Sequence, residues 1–247
     1  MASYLITGTG RGIGLELVRT LAAKPASEVS KIFAAHRTKT DALTELVSSS
    51  GGRVEAVPMD VTDEESIKQA ARQVEKSLAG KGLDVLVNNA GVLPITEGGI
   101  EKMTDLESVF RTNVTSVHWV TTALLPLLEK GSLKKIVNVS STVGSMGFVD
   151  YTRHLSCPAY KVSKYALNML TVQWAQALED RGFIVYVISP GWVKTDLGGP
   201  AADLTLAQAI PAIEEVVLRQ NKEDNGRFLD VVMPGFEPRY TNRFPPW

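Results

Sequence analysis

Hydrophobic and polar positions follow two alternating patterns along the chain. Short apolar runs rich in β-branched and aromatic residues, typical of buried strands, alternate with longer stretches whose apolar residues recur at helical spacing. The predicted strands are residues 4–7, 31–35, 53–58, 83–88, 135–140, 183–189 and 228–231. The predicted helices are residues 13–24, 41–48, 63–78, 105–130, 159–180 and 205–221, with Thr62 as the N-cap of the third. The alternation predicts a doubly wound α/β fold, a seven-stranded parallel sheet with helices on both faces.

Composition narrows the class of protein. The chain has 247 residues, of which 44% are hydrophobic and 21% charged, and we expect one domain over residues 1–247. Because Lys and Arg number 26 against 27 Asp and Glu, we predict no nucleic-acid partner. The lone Cys157, the absence of a secretory pattern and the lack of a long apolar run predict a cytoplasmic protein without a membrane partner. The three histidines show no ligand spacing, so we predict no metal site.

A glycine-rich turn joins the first strand to the first helix. The sequence TGTGRGIG at residues 7–14 lets the backbone turn tightly and approach a pyrophosphate at a helix N-terminus. The alternative is a plain strand–helix connector. Its place at the first strand–helix junction favours a dinucleotide site in a Rossmann-type fold.

The second strand predicts which dinucleotide binds. An acid at its end would hold a ribose 2′-hydroxyl group, but the sequence FAAHRTK at residues 33–39 has none. Arg37, together with Arg11 of the glycine-rich turn, could clamp a 2′-phosphate, which predicts NADP(H). The alternative is two solvated surface arginines.

Tyr160 and Lys164 form a Y-x-x-x-K pair, a spacing that places both side chains on one helical face but also occurs by chance. An ammonium group near a phenol favours phenolate and would lower the tyrosine pKa from about 10. Tyr160 could then donate a proton to a carbonyl oxygen while a hydride reaches the carbon.

The glycine pattern, the NNAG run at 88–91, the SS pair at 140–141, Y-x-x-x-K and the PGWVKT run at 190–195 together resemble the short-chain dehydrogenase/reductase family. The resemblance covers nearly the whole chain. The sequence PGWVKTDLGG and the Pro-Trp pair at 246–247 further resemble the sniffer/C-factor-type carbonyl reductases.

This resemblance implies a set of site residues. The implied catalytic residues are Asn113, Ser141, Tyr160 and Lys164, with Ser140 as the alternative serine. Asn113 would anchor a water in a proton relay to Lys164, and Lys164 would also hold the nicotinamide ribose. The implied cofactor-binding residues are Gly8, Gly10, Arg11, Gly12, Ile13, Gly14, Arg37, Asp60, Val61, Asn89, Ala90, Gly91, Tyr160, Lys164, Pro190, Gly191, Val193 and Thr195. The family also implies a homodimer or homotetramer that pairs through the helices holding Asn113 and Tyr160.

Two segments depart from the family pattern. Ser141 and Tyr160 are unusually far apart, so residues 145–157 are predicted to form an excursion that shapes substrate choice. The segment 231–247 is long, and its part 234–247 is expected to be irregular, either mobile or packed through its aromatic residues. Cys157 is either a packing residue or a reactive thiol, and Trp192 either lines the substrate site or packs in the core.

The prediction is therefore reversible NADPH-dependent reduction of a ketone or aldehyde, with a small carbonyl or alcohol as substrate. Two other functions remain open: a dinucleotide-binding sensor or scaffold without turnover, and a dehydratase or epimerase on the same fold.

Overall fold

Seven parallel strands form the sheet of the computed structural model, which describes residues 1–237 and 239–247. The strand order is β3-β2-β1-β4-β5-β6-β7, which confirms the predicted doubly wound sheet. The strands are β1 Ala2–Thr7, β2 Val29–His36, β3 Val54–Pro58, β4 Val85–Asn88, β5 Lys135–Val139, β6 Ile184–Ser189 and β7 Phe228–Asp230.

Helices cover both faces of this sheet. They are α1 Gly12–Ala23, α2 Asp41–Ser49, α3 Glu64–Leu78, α4 Leu106–Phe110, α5 Ser116–Glu129, α6 Pro158–Leu178 and α7 Leu206–Leu218. Successive side chains of a strand point to opposite faces, so Leu5 and Ile6 of β1 enter two different cores. Ile6 packs in the core beneath α1, α2 and α7, and Leu5 packs in the core beneath α3, α5 and α6.

The prediction of one helix over residues 105–130 is wrong in one respect. A π-helical turn, Arg111–Thr115, separates α4 from α5 and contains Asn113. A π turn adds one residue to the helical repeat, and such turns are frequent at functional sites. It therefore changes the direction in which Asn113 points without breaking the helical rod.

The predicted N-cap of α3 is also wrong. Asp63, not Thr62, is the cap, because its carboxylate accepts the Glu65 amide at 3.0 Å. Thr62 instead donates its amide and hydroxyl groups to the Asp60 carboxylate, at 2.9 and 2.7 Å. These two bonds are the main reason that the pKa of Asp60 lies below its ordinary value.

The strand order reverses between β1 and β4, and ligands of such sheets bind at the carboxyl ends of strands near this switch point. No helix in the described part of the chain is long and apolar enough to cross a bilayer. Residues 1–237 and 239–247 also contain no cluster of three or more His, Cys, Asp or Glu side chains suited to a metal ion.

Candidate active site

The glycine-rich turn forms a tight cradle at the end of β1. Gly8 and Gly12 have φ values of 72° and 58°, in the left-handed region that favours glycine. A Cβ at Gly14 would lie 2.4 Å from the Gly8 carbonyl oxygen, so no larger residue fits without moving the backbone. Arg11, the N-cap of α1, makes no side-chain capping bond, and the first amides of the helix face this turn.

Thr7 and Asn89 tie the ends of β1 and β4 together. The Thr7 hydroxyl oxygen accepts the amides of Asn89 and Ala90, both at 3.0 Å. The Asn89 side-chain amide donates to the Thr7 carbonyl oxygen at 2.8 Å. Sequence reasoning missed Thr7, although it is the first residue of the T-G-x-x-x-G-x-G pattern.

Arg11 makes a contact that the sequence did not predict. Its guanidinium group lies 3.2 Å from the Asp196 carboxylate, and both side chains are mostly exposed. The pair connects the glycine-rich turn to the segment after β6. In the same segment, the Thr195 methyl group would lie 3.4 Å from a Cβ at Gly12. The two segments therefore meet beside the cradle.

Arg37 is exposed just after β2, and its charge contributes to the low pKa of Asp60. The Thr40 hydroxyl group donates to the Gly10 carbonyl oxygen at 2.9 Å, which holds the start of α2 against the glycine-rich turn. Arg11 and Arg37 thus lie on two segments that the structure joins through Gly10 and Thr40.

The Ser141 hydroxyl group lies close enough to the Tyr160 phenol to favour its ionised form. Ser141 follows β5, and Tyr160 lies in the first turn of α6. Lys164 follows one turn later, with its Nζ 5.5 Å from the centre of the Tyr160 ring and donating to the Val139 carbonyl oxygen at 2.8 Å. The structure therefore brings three of the predicted catalytic residues together.

Ser140 points elsewhere. Its hydroxyl group is buried and donates to the Asn168 side chain at 2.6 Å and to the Lys164 carbonyl oxygen at 3.4 Å. Of the two serines, Ser141 is therefore the one whose hydroxyl group interacts with the Tyr160 phenol.

The Asn113 side chain forms hydrogen bonds with Val92 and Ser163, close to Lys164. Its side-chain amide donates to the Val92 carbonyl oxygen at 2.9 Å and to the Ser163 hydroxyl at 3.0 Å, and its oxygen accepts the Val92 amide at 2.9 Å. A Cβ at Gly91 would lie 3.3 Å from that oxygen and 3.7 Å from the Lys164 Nζ. The Asn113 oxygen and the Lys164 ammonium group are therefore neighbours across Gly91.

The prediction of a lowered tyrosine pKa is wrong. Burial raises the pKa of Tyr160 above its ordinary value, although the nearby Ser141 hydroxyl group opposes the shift. Burial also lowers the pKa of Lys164 to about 8. Lys164 donates to a backbone carbonyl rather than to the phenol oxygen, so its charge does not offset the desolvation of a phenolate. The Tyr160 phenol is consequently protonated near neutral pH.

Side-chain contacts fix the segments that flank Ser141 and Tyr160. Trp192 is 40% exposed, and its indole donates to the Gly198 carbonyl oxygen at 2.8 Å, so it is a surface residue rather than a core residue. Cys157 is buried, and burial raises the pKa of its thiol, which fits a packing role. In the predicted irregular tail, Trp247 packs on Phe228 with ring centres 5.6 Å apart. Pro238 lies outside the described residues.

Known proteins resemble this chain along most of its length. An uncharacterised oxidoreductase of Schizosaccharomyces pombe is 38% identical over 221 residues, which cover 88% of this chain and 83% of the relative. The NADPH-bound carbonyl reductase from chicken fatty liver has a TM-score of 0.87 at 32% identity, covering 100% of this chain and 99% of that one. The carbonyl reductase Sniffer of Drosophila melanogaster also has a TM-score of 0.87, at 28% identity and full coverage of both chains.

The family assignment rests on the matching sequence model as well as on these relatives. The model of short chain dehydrogenases matches residues 3–203, which include the glycine-rich turn, Ser141 and the Y-x-x-x-K pair. The chain belongs to the short-chain dehydrogenase family of oxidoreductases.

Proposed function

We propose that this protein is an NADP(H)-dependent carbonyl reductase that converts a ketone or aldehyde to the alcohol and catalyses the reverse oxidation. The observation that carries this proposal is the Ser141 hydroxyl group beside the Tyr160 phenol, with the buried Lys164 one turn further along α6. The pair lies at the carboxyl edge of the sheet, next to the glycine cradle.

The residues of the cradle fit a dinucleotide. A Cβ at Gly14 or Gly8 would collide with backbone atoms, at 2.4 and 2.9 Å, so the cradle keeps its backbone open to a close pyrophosphate. We propose that Arg11 and Arg37 hold a 2′-phosphate through charge-assisted hydrogen bonds. The chicken carbonyl reductase with bound NADPH and a Burkholderia multivorans relative with bound NADP, which is 26% identical, support this choice of cofactor.

A bound reduced nicotinamide supplies the hydride that reaches the carbonyl carbon. The Ser141 hydroxyl group donates a hydrogen bond to the substrate oxygen and stabilises its developing negative charge. Tyr160 transfers its phenolic proton to that oxygen, which completes the alcohol and leaves a phenolate. The Lys164 ammonium group holds the nicotinamide ribose and returns a proton towards Tyr160. Asn113, which neighbours Lys164 across Gly91, anchors the water that connects this relay to solvent.

The test is an assay of NADPH oxidation with aromatic, aliphatic and polycyclic carbonyl compounds. We expect turnover of at least one class, with NADPH preferred over NADH. The absence of turnover with all three classes, despite NADPH binding, would favour the sensor or scaffold function. Conversion of a substrate without net oxidation of NADPH would instead favour a dehydratase or epimerase.

A homodimer or homotetramer remains a prediction. Leu106 and Phe110 of α4 and Tyr165 and Met169 of α6 are exposed apolar residues on the helices through which we expect pairing. Light scattering of the purified protein tests it, and a monomer at micromolar concentration would contradict it.

A further inference from the structure

Two segments leave the sheet at neighbouring carboxyl ends and flank Ser141. The first wall, residues 142–149, follows β5 and contains the short helical turns Thr142–Gly144 and Met146–Phe148. The second wall, residues 190–204, follows β6. Loops at this edge of such sheets shape the substrate site.

Tyr240 holds the second wall from behind. Its hydroxyl oxygen accepts the Trp192 amide at 3.0 Å, and the same hydroxyl group donates to the Asp203 carboxylate at 2.9 Å. Its ring lies against Gly191, where a Cβ would be 3.2 Å from the ring edge. Arg239 forms an ion pair with Asp203, so the two ends of this wall are tied to adjacent residues of the tail.

Pro246 and Trp247 hold the first wall. The Ser145 hydroxyl group donates to the Pro246 carbonyl oxygen at 2.7 Å, and the Gly147 amide donates to the Trp247 carbonyl oxygen at 3.0 Å. A Cβ at Gly147 would lie 2.6 Å from the Cβ and Cγ of Pro246, so the proline ring rests directly on the glycine backbone.

The chain between these anchors is itself fixed. The Asp230 amide at the end of β7 donates to the Arg243 carbonyl oxygen at 2.8 Å. The Arg243 side chain forms an ion pair with Glu215 of α7, also at 2.8 Å. The segment from Arg239 to Trp247, here termed the strap, therefore runs from one wall to the other over a support made by β7 and α7.

We propose that the strap holds the two walls at a fixed separation and thereby determines substrate size, with Tyr240 as a positioning residue for the second wall. The coupling of the walls follows from the contacts alone, whereas its effect on substrates rests on the carbonyl reductase function proposed above. Tyr240 acts through the Trp192 amide and Asp203.

Hydrogen exchange of the Trp192 amide tests the coupling without any catalysis. Tyr240→Phe removes the acceptor of that amide but keeps the ring against Gly191, and we expect exchange to become about tenfold faster or more. Gly147→Ala places a methyl group against Pro246 at the opposite end. The Gly147 backbone is outside the left-handed region, so alanine adds no backbone strain and acts only through its clash with Pro246. We expect the displaced strap to speed Trp192 exchange as well.

Tyr186→Phe is the matched control. It also removes a buried phenolic hydroxyl group, which donates to the Val216 carbonyl oxygen at 2.8 Å and not to either wall or to the strap. We expect Tyr186→Phe to lower the melting temperature while leaving Trp192 exchange at its parental rate under strongly native conditions. A merely structural role for Tyr240 would make the two tyrosine variants behave alike.

Substrate discrimination supplies the functional readout. We expect Tyr240→Phe and Gly147→Ala to raise KM for an aromatic ketone by about fivefold or more, with little change in KM for propanal, a much smaller substrate that should depend less on both walls. Unchanged Trp192 exchange in Gly147→Ala would overturn the coupling, and equal KM changes for both substrates would overturn the role in specificity. If the parent protein turns over no carbonyl, the proposed function fails, but the exchange experiment still decides whether the strap couples the walls.

Discussion

The Ser141 hydroxyl group, which follows β5, lies beside the phenol of Tyr160 in the first turn of α6. Ser141 is held by its place at the start of a helical turn, where its oxygen accepts the Val143 amide at 3.2 Å. Tyr160 is held by burial in the first turn of α6. Two hydroxyl donors on separate rigid elements can therefore converge on one substrate oxygen, an arrangement that stabilises developing charge without reorganisation.

Replacement of Tyr160 by phenylalanine tests the proton donor. We expect Tyr160→Phe to bind NADPH as the parent does but to lose about 10²- to 10⁴-fold in kcat, because only the transferable proton is removed. Steady-state kinetics measure the loss, and nicotinamide fluorescence measures binding. Tyr165→Phe, one turn along α6 and partly exposed, is the control and should keep parental kcat. Near-parental reduction by folded Tyr160→Phe would exclude the phenol from the reaction.

The pH profile should be governed by Lys164 rather than by Tyr160. Burial raises the pKa of Tyr160, so the phenol stays protonated as the pH rises from 7 to 9. Burial lowers the pKa of Lys164 to about 8, so this group loses its positive charge over the same interval. We expect kcat/KM for carbonyl reduction to fall as the pH rises through about 8. A profile that stays flat to pH 10 would show that the charge of Lys164 is not required.

The sequence predicted the parts of this fold that depend on local pattern. Every strand was predicted to within a few residues, because buried parallel strands are short apolar runs bounded by turns. The π turn around Asn113 was missed, since one extra residue within an apolar helical stretch barely changes its periodicity. The choice of Asp63 over Thr62 as a cap was also missed, because either side chain can accept the bond and only the backbone geometry decides.

The candidate site, like the fold, has parts that local sequence motifs predict and parts that they do not. The glycines, Ser141, Tyr160 and Lys164 could be proposed from the sequence because each lies in a short local motif. The strap was not found, because its bond from Ser145 to Pro246 joins residues 101 positions apart and no pattern encodes that pairing. The direction of the Tyr160 pKa was predicted wrongly for a related reason. Helical spacing places Lys164 beside the ring, but burial of both groups and the bond to Val139 decide the electrostatics.

Asp230 should make stability depend on pH. It lies at the end of β7, and burial raises the pKa of its carboxyl group to about 7, although hydrogen bonds from Ser189 and the Val231 amide oppose the shift. Because the unfolded pKa is near 3.8, the folded protein retains a proton that the unfolded chain has lost between about pH 4 and 7. This contribution to stability is complete below pH 4 and is lost as the pH rises to 7.

Asp230→Asn keeps the shape and the acceptor of Asp230 but carries no charge. We therefore expect the variant to be more stable than the parent at pH 8, by several degrees in melting temperature, and close to it at pH 4. Thermal unfolding followed by circular dichroism at both pH values measures this. Asp203→Asn, whose carboxylate is in an ion pair with Arg239, should instead be less stable at pH 8. Equal melting temperatures of Asp230→Asn and the parent at pH 8 would contradict the buried neutral carboxyl group.

The choice between NADPH and NADH should depend on Arg37 and Arg11. A charge-assisted hydrogen bond contributes about 1.5 to 3 kcal/mol, so we expect the parent protein to prefer NADPH by about tenfold or more in kcat/KM. Arg37→Asp removes one guanidinium group and adds a repulsive charge, which should narrow or invert this preference. Arg72→Asp makes the same change of charge on the exposed side of α3, and this variant should keep the parental preference for NADPH.

A substitution of Asp196 tests whether Arg11 binds the 2′-phosphate of NADPH or the pyrophosphate. In the structure, its carboxylate lies 3.2 Å from the Arg11 guanidinium and competes with any phosphate for the same donors. Exposed ion pairs of this kind are weak, so a phosphate dianion can displace the carboxylate at small cost. Asp196→Asn removes the competitor, and we expect NADPH to bind a few-fold more tightly while NADH binding changes little. Fluorescence titration with both cofactors measures this, and tightening of NADH to the same extent would place Arg11 on the pyrophosphate that the two cofactors share.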